Sequence, residues 1–193
     1  MRNLTIGGVL MIGVAGWIAY EIFNTPSVSG SIGEKASNLM SNLENTVSGN
    51  WKSQGDAGLY VPYIESVETS NGIPPDLLAR IAYQESHFRQ DIVDGAVKSP
   101  AGAVGLMQLM PQYFPGAGTN WQTDVNTAAK YLLQLYNEFG DWQLAVAAYN
   151  WGPGNVTNYV ASNYTSPAMP TETSNYISAV FADVPVQGAL IVV

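Results

Sequence analysis

The sequence predicts an all-α domain carried behind an apolar N-terminal segment and a polar linker. Three observations lead there. From Leu59 onward apolar residues recur at intervals of three and four. Gly, Pro and Asp interrupt that recurrence where helices start and stop. Strand-like alternation is scarce except near Val184–Val193.

Residues 1–23 read as a membrane anchor. Leu4 to Tyr20 carries no charge, and with Ile22 and Phe23 the run approaches the ~20 residues a helix needs to cross a bilayer. Arg2 precedes it, which keeps the short N-terminus cytoplasmic and sends the rest of the chain across. A cleaved secretory signal has the same layout. Trp17, Tyr20 and Phe23 stand where a small-residue cleavage site belongs, and they favour retention, as an interfacial belt. This topology makes a single-pass protein with the remaining chain across the membrane, on the periplasmic side.

Residues 24–58 form a linker, with Ser, Gly and Asn filling about half of it. Within it Ser31-Ile-Gly-Glu34 has the form of a capping box, and Ile32 to Val47 shows helical spacing. A short amphipathic helix over 32–47 and a weakly helical tether both fit.

Residues 59–183 form the helical domain. Leu59–Asn71 is a first helix, stopped by Gly72 and Pro74-Pro75; Pro75 and Asp76 suit the opening turn of a second. Asp124 is the expected cap of a third, with Val125, Ala128, Ala129, Leu132, Leu133, Tyr136 and Phe139 on one face and Gly140 at its end. Asp141 is the expected cap of a fourth, ended by Gly152-Pro153-Gly154, and shorter helices follow around Asn155–Ser162 and Glu172–Ala182. The apolar tail 184–193 either packs on this domain or, like 32–47, meets an envelope or virion protein partner.

Composition narrows the chemistry. There are 15 Asp and Glu against 7 Lys and Arg, a formal net charge of -8, which disfavours nucleic acid. Cysteine is absent, so disulfides, thiolate metal sites and a cysteine nucleophile are excluded. The single His87 rules out a His-rich metal site. What is left is carboxylate chemistry, binding or a structural role.

Glu85 is the candidate acid. It lies four residues after Ile81, three after Ala82 and three before Phe88, inside the apolar stripe of the second helix. Desolvation and the negative end of the helix dipole both hold a proton on it. A protonated carboxyl near neutral pH is what a general acid for glycoside cleavage requires. Pairing with Arg80, Arg89 or Lys98 at the stripe's edge is the structural alternative. His87 falls about 200° round the helix from Glu85 and reads as non-catalytic. After Glu85 come Ser99–Pro111, Ala147–Gly154 and Glu172–Tyr176, which offer uncharged hydrogen-bonding groups beside aromatic or thioether surface, the composition of carbohydrate sites.

Glu85-Ser86 with Phe88, Gly105-Leu-Met-Gln-Leu-Met-Pro111, Ala148-Tyr-Asn-Trp-Gly-Pro-Gly154 and Glu172-Thr with Tyr176 resemble the ordered motif series of soluble lytic transglycosylase domains. The resemblance runs from about Leu59 to Phe181. It implies a lysozyme-like all-α fold and cleavage of the MurNAc–GlcNAc bond of peptidoglycan, with Glu85 catalytic and Tyr176 near it. It also implies a sugar cleft lined by Ser99, Met107, Gln108 and Asn150, with Tyr149 flanking them. Trp151 departs from the family's usual alanine and either narrows a subsite or adds a stacking platform. The stretch 90–98 is longer than usual, and 112–122 is short.

Asp91 and Asp94 read as loop residues and Asp124 and Asp141 as caps, so no second carboxylate is as well placed as Glu85. A transglycosylase needs only one, and neither metal nor cofactor. A hydrolytic lysozyme of similar fold would use Glu85 with water. A structural virion or envelope assembly protein with an auxiliary muralytic domain is the more distant alternative, and phage and bacterial origins both fit the layout.

Overall fold

In the computed structural model, residues 50–184 are described. The expected anchor 4–23, the 32–47 helix and all of the tail but Val184 lie outside them. Among the described residues no helix is long and apolar enough to cross a membrane.

The helices follow a 3₁₀ turn at Asn50–Ser53. They are α1 (Ala57–Asn71), α2 (Leu77–Ser86), α3 (Gln90–Val93), α4 (Trp121–Phe139), α5 (Trp142–Trp151), α6 (Pro153–Ala161) and α7 (Thr171–Val180). No strand occurs among the described residues; Val104 and Leu109 share one isolated antiparallel bridge. The all-α expectation holds for this part of the chain.

α5 is the hub. Gln143 to Trp151 are all buried, and the helix packs on α4, α6 and α7. α2 is buried along its whole length, between α1 and α7. α1 buries Tyr60, Val61, Ile64, Val67 and Glu68 on one face. It ends at Gly72, whose φ of 67° is the left-handed conformation glycine adopts without a Cβ penalty.

Capping separates what local sequence specifies from what it does not. The Asp141 side chain accepts the N–H groups of Gln143 at 2.7 Å and Leu144 at 3.0 Å, as expected of an N-cap. Asp124 does not cap. The third long helix starts earlier, where Asn120 accepts the Thr123 N–H at 2.9 Å. Asp124 then falls inside that helix, 1% exposed, and its carboxylate accepts the Gly118 N–H at 3.1 Å. α2 is capped from another helix: Glu68 of α1 accepts the N–H groups of Asp76 and Ala79, each at 2.9 Å. Burial pushes the Glu68 carboxyl up to about 7. Asp76 itself pairs with Lys52 at 2.6 Å.

Asp91 also departs from expectation. It belongs to the short α3, which Asp94 terminates, and Arg89 pairs with it at 2.6 Å.

Candidate active site

Glu85 sits in the last turn of α2 with 0% of its surface exposed. Its Oε1 accepts a hydrogen bond from the Tyr176 hydroxyl at 2.6 Å, while Oε2 is buried without a hydrogen-bond partner. Burial raises the carboxyl to about 8; the Tyr176 hydroxyl opposes that rise and the negative charge of Glu172 adds to it. The arginines proposed as ion-pair partners for Glu85 serve elsewhere. Arg80 Nε pairs with Asp183 at 2.9 Å and Arg89 with Asp91. Because Oε1 already accepts from Tyr176, Oε2 is the oxygen left to carry a proton when the carboxyl is neutral.

α7 delivers its groups one turn apart. Glu172, Thr173 and Tyr176 occupy neighbouring positions on one helix face. Thr173 Oγ1 donates to Asn150 Oδ1 at 2.8 Å, fastening α7 to the end of α5. Next to Asn150, the fully buried Tyr149 donates its hydroxyl to the Met107 carbonyl at 2.9 Å. Burial raises the Tyr149 and Tyr176 hydroxyls well above their ordinary value, and the charge of Glu85 acts on both in the same sense. Both phenols are therefore hydrogen-bond donors throughout the neutral range.

The loop between α3 and α4 is held as a unit. Ser99 Oγ accepts the Ala103 N–H at 2.8 Å, and Val104 and Leu109 exchange backbone hydrogen bonds at 3.1 Å. Gln108, at φ 46°, donates its amide Nε2 to the Gly105 carbonyl at 3.0 Å. Gly105 is required where the loop meets α4. A Cβ there would lie 2.5 Å from Asp124 Oδ2 and 3.1 Å from the Gly118 Cα. The misassigned cap Asp124 thus ties Gly118 beside Gly105, closing the segment that carries Met107 and Gln108.

The residues expected from sequence fall into two groups. Tyr176 meets Glu85 directly, and Tyr149 and Asn150 approach through the α5–α7 junction. Ser99, Met107 and Gln108 belong to the closed loop, where Ser99 and Gln108 spend hydrogen bonds on its backbone and Met107 accepts from Tyr149. Trp151 offers no stacking platform: it is 6% exposed and packs edge-on against Tyr159 at 6.0 Å. His87 caps α2, its ring 4.6 Å from that of Tyr83, and burial lowers it to about 4, so it is neutral near pH 7.

Glu172 is the residue the sequence reading passed over. Its Oε1 is buried without a hydrogen-bond partner, burial raises its carboxyl, and its charge acts on Glu85. Glu85 is therefore not the only carboxyl at this site. The signal was its position one helical turn before Tyr176.

The part of the chain that carries Glu85, the pinned loop and Tyr149 is similar in sequence to known proteins. The family model for the Transglycosylase SLT domain matches residues 62–170, taking in Glu85, the loop and Asn150 and stopping just short of α7. The chain is 32% identical over 133 residues to the "Soluble lytic murein transglycosylase" of Escherichia coli (strain K12), covering 57% of this chain and 20% of that protein. It is 32% identical over 108 residues to the "Membrane-bound lytic murein transglycosylase F 2" of Alkalilimnicola ehrlichii, covering 50% of this chain and 23% of the other. It is 29% identical over 133 residues to the "Peptidoglycan transglycosylase gp16" of Escherichia phage T7, covering 61% and 10%. The likeness thus spans less than a quarter of each of these relatives' lengths. The family match takes in more than half of the chain, and the chain belongs to the Transglycosylase SLT domain family.

Proposed function

We propose that the chain is a peptidoglycan lytic transglycosylase, cleaving the β-1,4 bond between MurNAc and GlcNAc. The observation that carries this reading is the Glu85 carboxyl: fully buried, raised to about 8 and hydrogen-bonded on one oxygen only. At neutral pH it holds the proton that the departing glycosidic oxygen requires.

In the first half of the reaction Glu85 Oε2 gives its proton to the bridging oxygen as the C1–O bond of MurNAc breaks. Positive charge develops at the anomeric carbon, and Glu85 becomes a carboxylate. The Tyr176 hydroxyl then stabilises that carboxylate through its hydrogen bond to Oε1. In the second half the C6 hydroxyl of the same MurNAc attacks C1 and returns its proton to Glu85, leaving a 1,6-anhydro end. No water is consumed and Glu85 ends as it began. Ser99, Met107, Gln108, Tyr149 and Asn150 serve the glycan by shaping its cleft, through the bonds that pin the loop and the α5–α7 junction.

Hydrolysis is the second reading, and Glu172 is the observation that favours it, since a second carboxyl gives water a base. Its raised pKa keeps more of it protonated, and so unable to act as a base, than an exposed glutamate would be. The C6 hydroxyl is tethered to the reacting ring, which confers a large effective-molarity advantage. The transglycosylase reading therefore rests on intramolecular attack rather than on the lack of a second carboxyl.

We further propose that Leu4–Phe23 anchors the protein with its catalytic domain facing the wall, and that it opens peptidoglycan locally, either in envelope remodelling or in phage entry. The apolar run supports the anchor, and one of the relatives is named as membrane-bound. The phage relative supports the entry setting.

Replacing Glu85 tests the activity. Glu85→Gln keeps the size of the side chain and removes the acidic proton, so release of soluble fragments from purified peptidoglycan falls by about 10²–10⁴-fold in a variant that remains folded. Turnover by folded Glu85→Gln close to that of the parent contradicts the assignment.

A further inference from the structure

α2 ends in a conformation that side chains resist. His87 and Phe88, directly after Ser86, have φ values of 50° and 55°, a left-handed region that few side chains adopt and in which the bulky Phe88 is an outlier. Such a turn persists only where its surroundings over-determine it. From within, Ser86 Oγ accepts the Phe88 N–H at 3.2 Å and donates to the Ala82 carbonyl at 3.0 Å.

The second hold comes from residues 51–56, which lie before the stretch that the family model matches. The Asp56 N–H donates to the Phe88 carbonyl at 3.1 Å. Gly55, at φ 49°, fits so closely that a Cβ would lie 2.6 Å from the His87 carbonyl oxygen and 2.8 Å from that of Phe88. Trp51 is 1% exposed, with its ring 6.3 Å from those of Tyr83 and Phe88. Its Nε1 donates to Asp183 at 2.8 Å, and Asp183 in turn pairs with Arg80 of α2.

We propose that residues 51–56 form a brace that fixes the end of α2 and so aims the Glu85 carboxyl, with Gly55 and Trp51 as its positioning residues. The consequence for catalysis rests on the reading of Glu85 as the general acid; the brace itself rests on geometry. Glu85 is two residues from His87, so a shift of that turn moves the carboxyl relative to Tyr176 and Glu172 of α7, the groups that act on it. It also admits water, weakening the burial that chiefly raises the carboxyl.

Titration of the Glu85 carboxyl carbon by NMR in the full chain tests the brace without needing substrate. Gly55→Ala and Trp51→Phe are compared with Val156→Ala, a buried site on α6 outside the brace. The brace predicts a midpoint lowered by about one pH unit in both brace variants and unchanged in Val156→Ala, whatever the loss of thermal stability. On peptidoglycan, kcat falls about tenfold or more with KM within about twofold. If Gly55→Ala does not fold, Trp51→Phe decides. An unchanged midpoint in a folded brace variant, or an equal shift in Val156→Ala, overturns the proposal. Failure of the parent protein to cleave peptidoglycan would overturn the functional reading instead, leaving the titration result intact.

Discussion

The Tyr176 hydroxyl donates to Glu85 Oε1 at 2.6 Å, joining the last turn of α2 to α7 across 91 positions of sequence. The bond favours the charged form of Glu85 while burial favours the neutral form. The site thus holds the proton before bond cleavage and stabilises its loss afterwards.

Tyr176→Phe removes the donor and leaves the ring. The Glu85 carboxyl then titrates higher, so the alkaline limb of the kcat/KM profile moves to higher pH. A hydrogen bond to a charged group is worth about 1.5–3 kcal/mol, which corresponds to a rate loss of roughly 10- to 150-fold. The pH–rate profile checks both; a limb that stays in place contradicts the assigned role of Tyr176.

Glu172→Gln acts in the opposite direction. With the neighbouring negative charge gone, Glu85 loses its proton more easily and the alkaline limb moves to lower pH. Together the two substitutions bracket the wild-type profile. Movement of both in the same direction would contradict the electrostatic assignment.

Glu85 also sets the pH dependence of stability. Its folded value of about 8 exceeds its ordinary 4.5, so its contribution is fully present below about 4.5 and is lost as pH rises through about 8. Glu68, at about 7, acts in the same sense, whereas His87, lowered to about 4, adds stability as pH rises from about 4 to 6.5. Above about pH 7 both are largely spent and the decline belongs mainly to Glu85. Urea midpoints at about pH 7 and about pH 8.5 should fall for the wild type and change much less for Glu85→Gln.

Two aspartates show how far the fold was legible in sequence. Asp141 caps a helix as its place between Gly140 and an apolar stripe implies, because an N-cap is satisfied by its own next residues. Asp124 looks the same in sequence but lies inside α4, since Asn120 already supplies the cap and Gly118 needs an acceptor. The choice is made by a loop closing on itself, which local spacing does not encode. The capping of α2 by Glu68 is likewise tertiary.

The candidate site divides the same way. Glu85 was legible because a carboxylate in an apolar stripe conflicts with its own periodicity. Tyr176 was placed near it by family resemblance, and the hydroxyl contact gives that placement its geometry. Glu172 was overlooked because its effect on Glu85 exists only once α7 packs on α2. Residues 51–56 sit in a Ser- and Gly-rich stretch and read as tether; the φ values of His87 and Phe88 reveal what they hold.

The central claim is that Glu85 serves an internal nucleophile, and product identity tests it most directly. Purified peptidoglycan is digested in ¹⁸O-labelled water and the fragments are analysed by mass. The transglycosylase reading predicts 1,6-anhydro-MurNAc ends without the label. Predominantly reducing MurNAc ends carrying ¹⁸O would contradict it and assign the chemistry to water, with Glu172 as the candidate base.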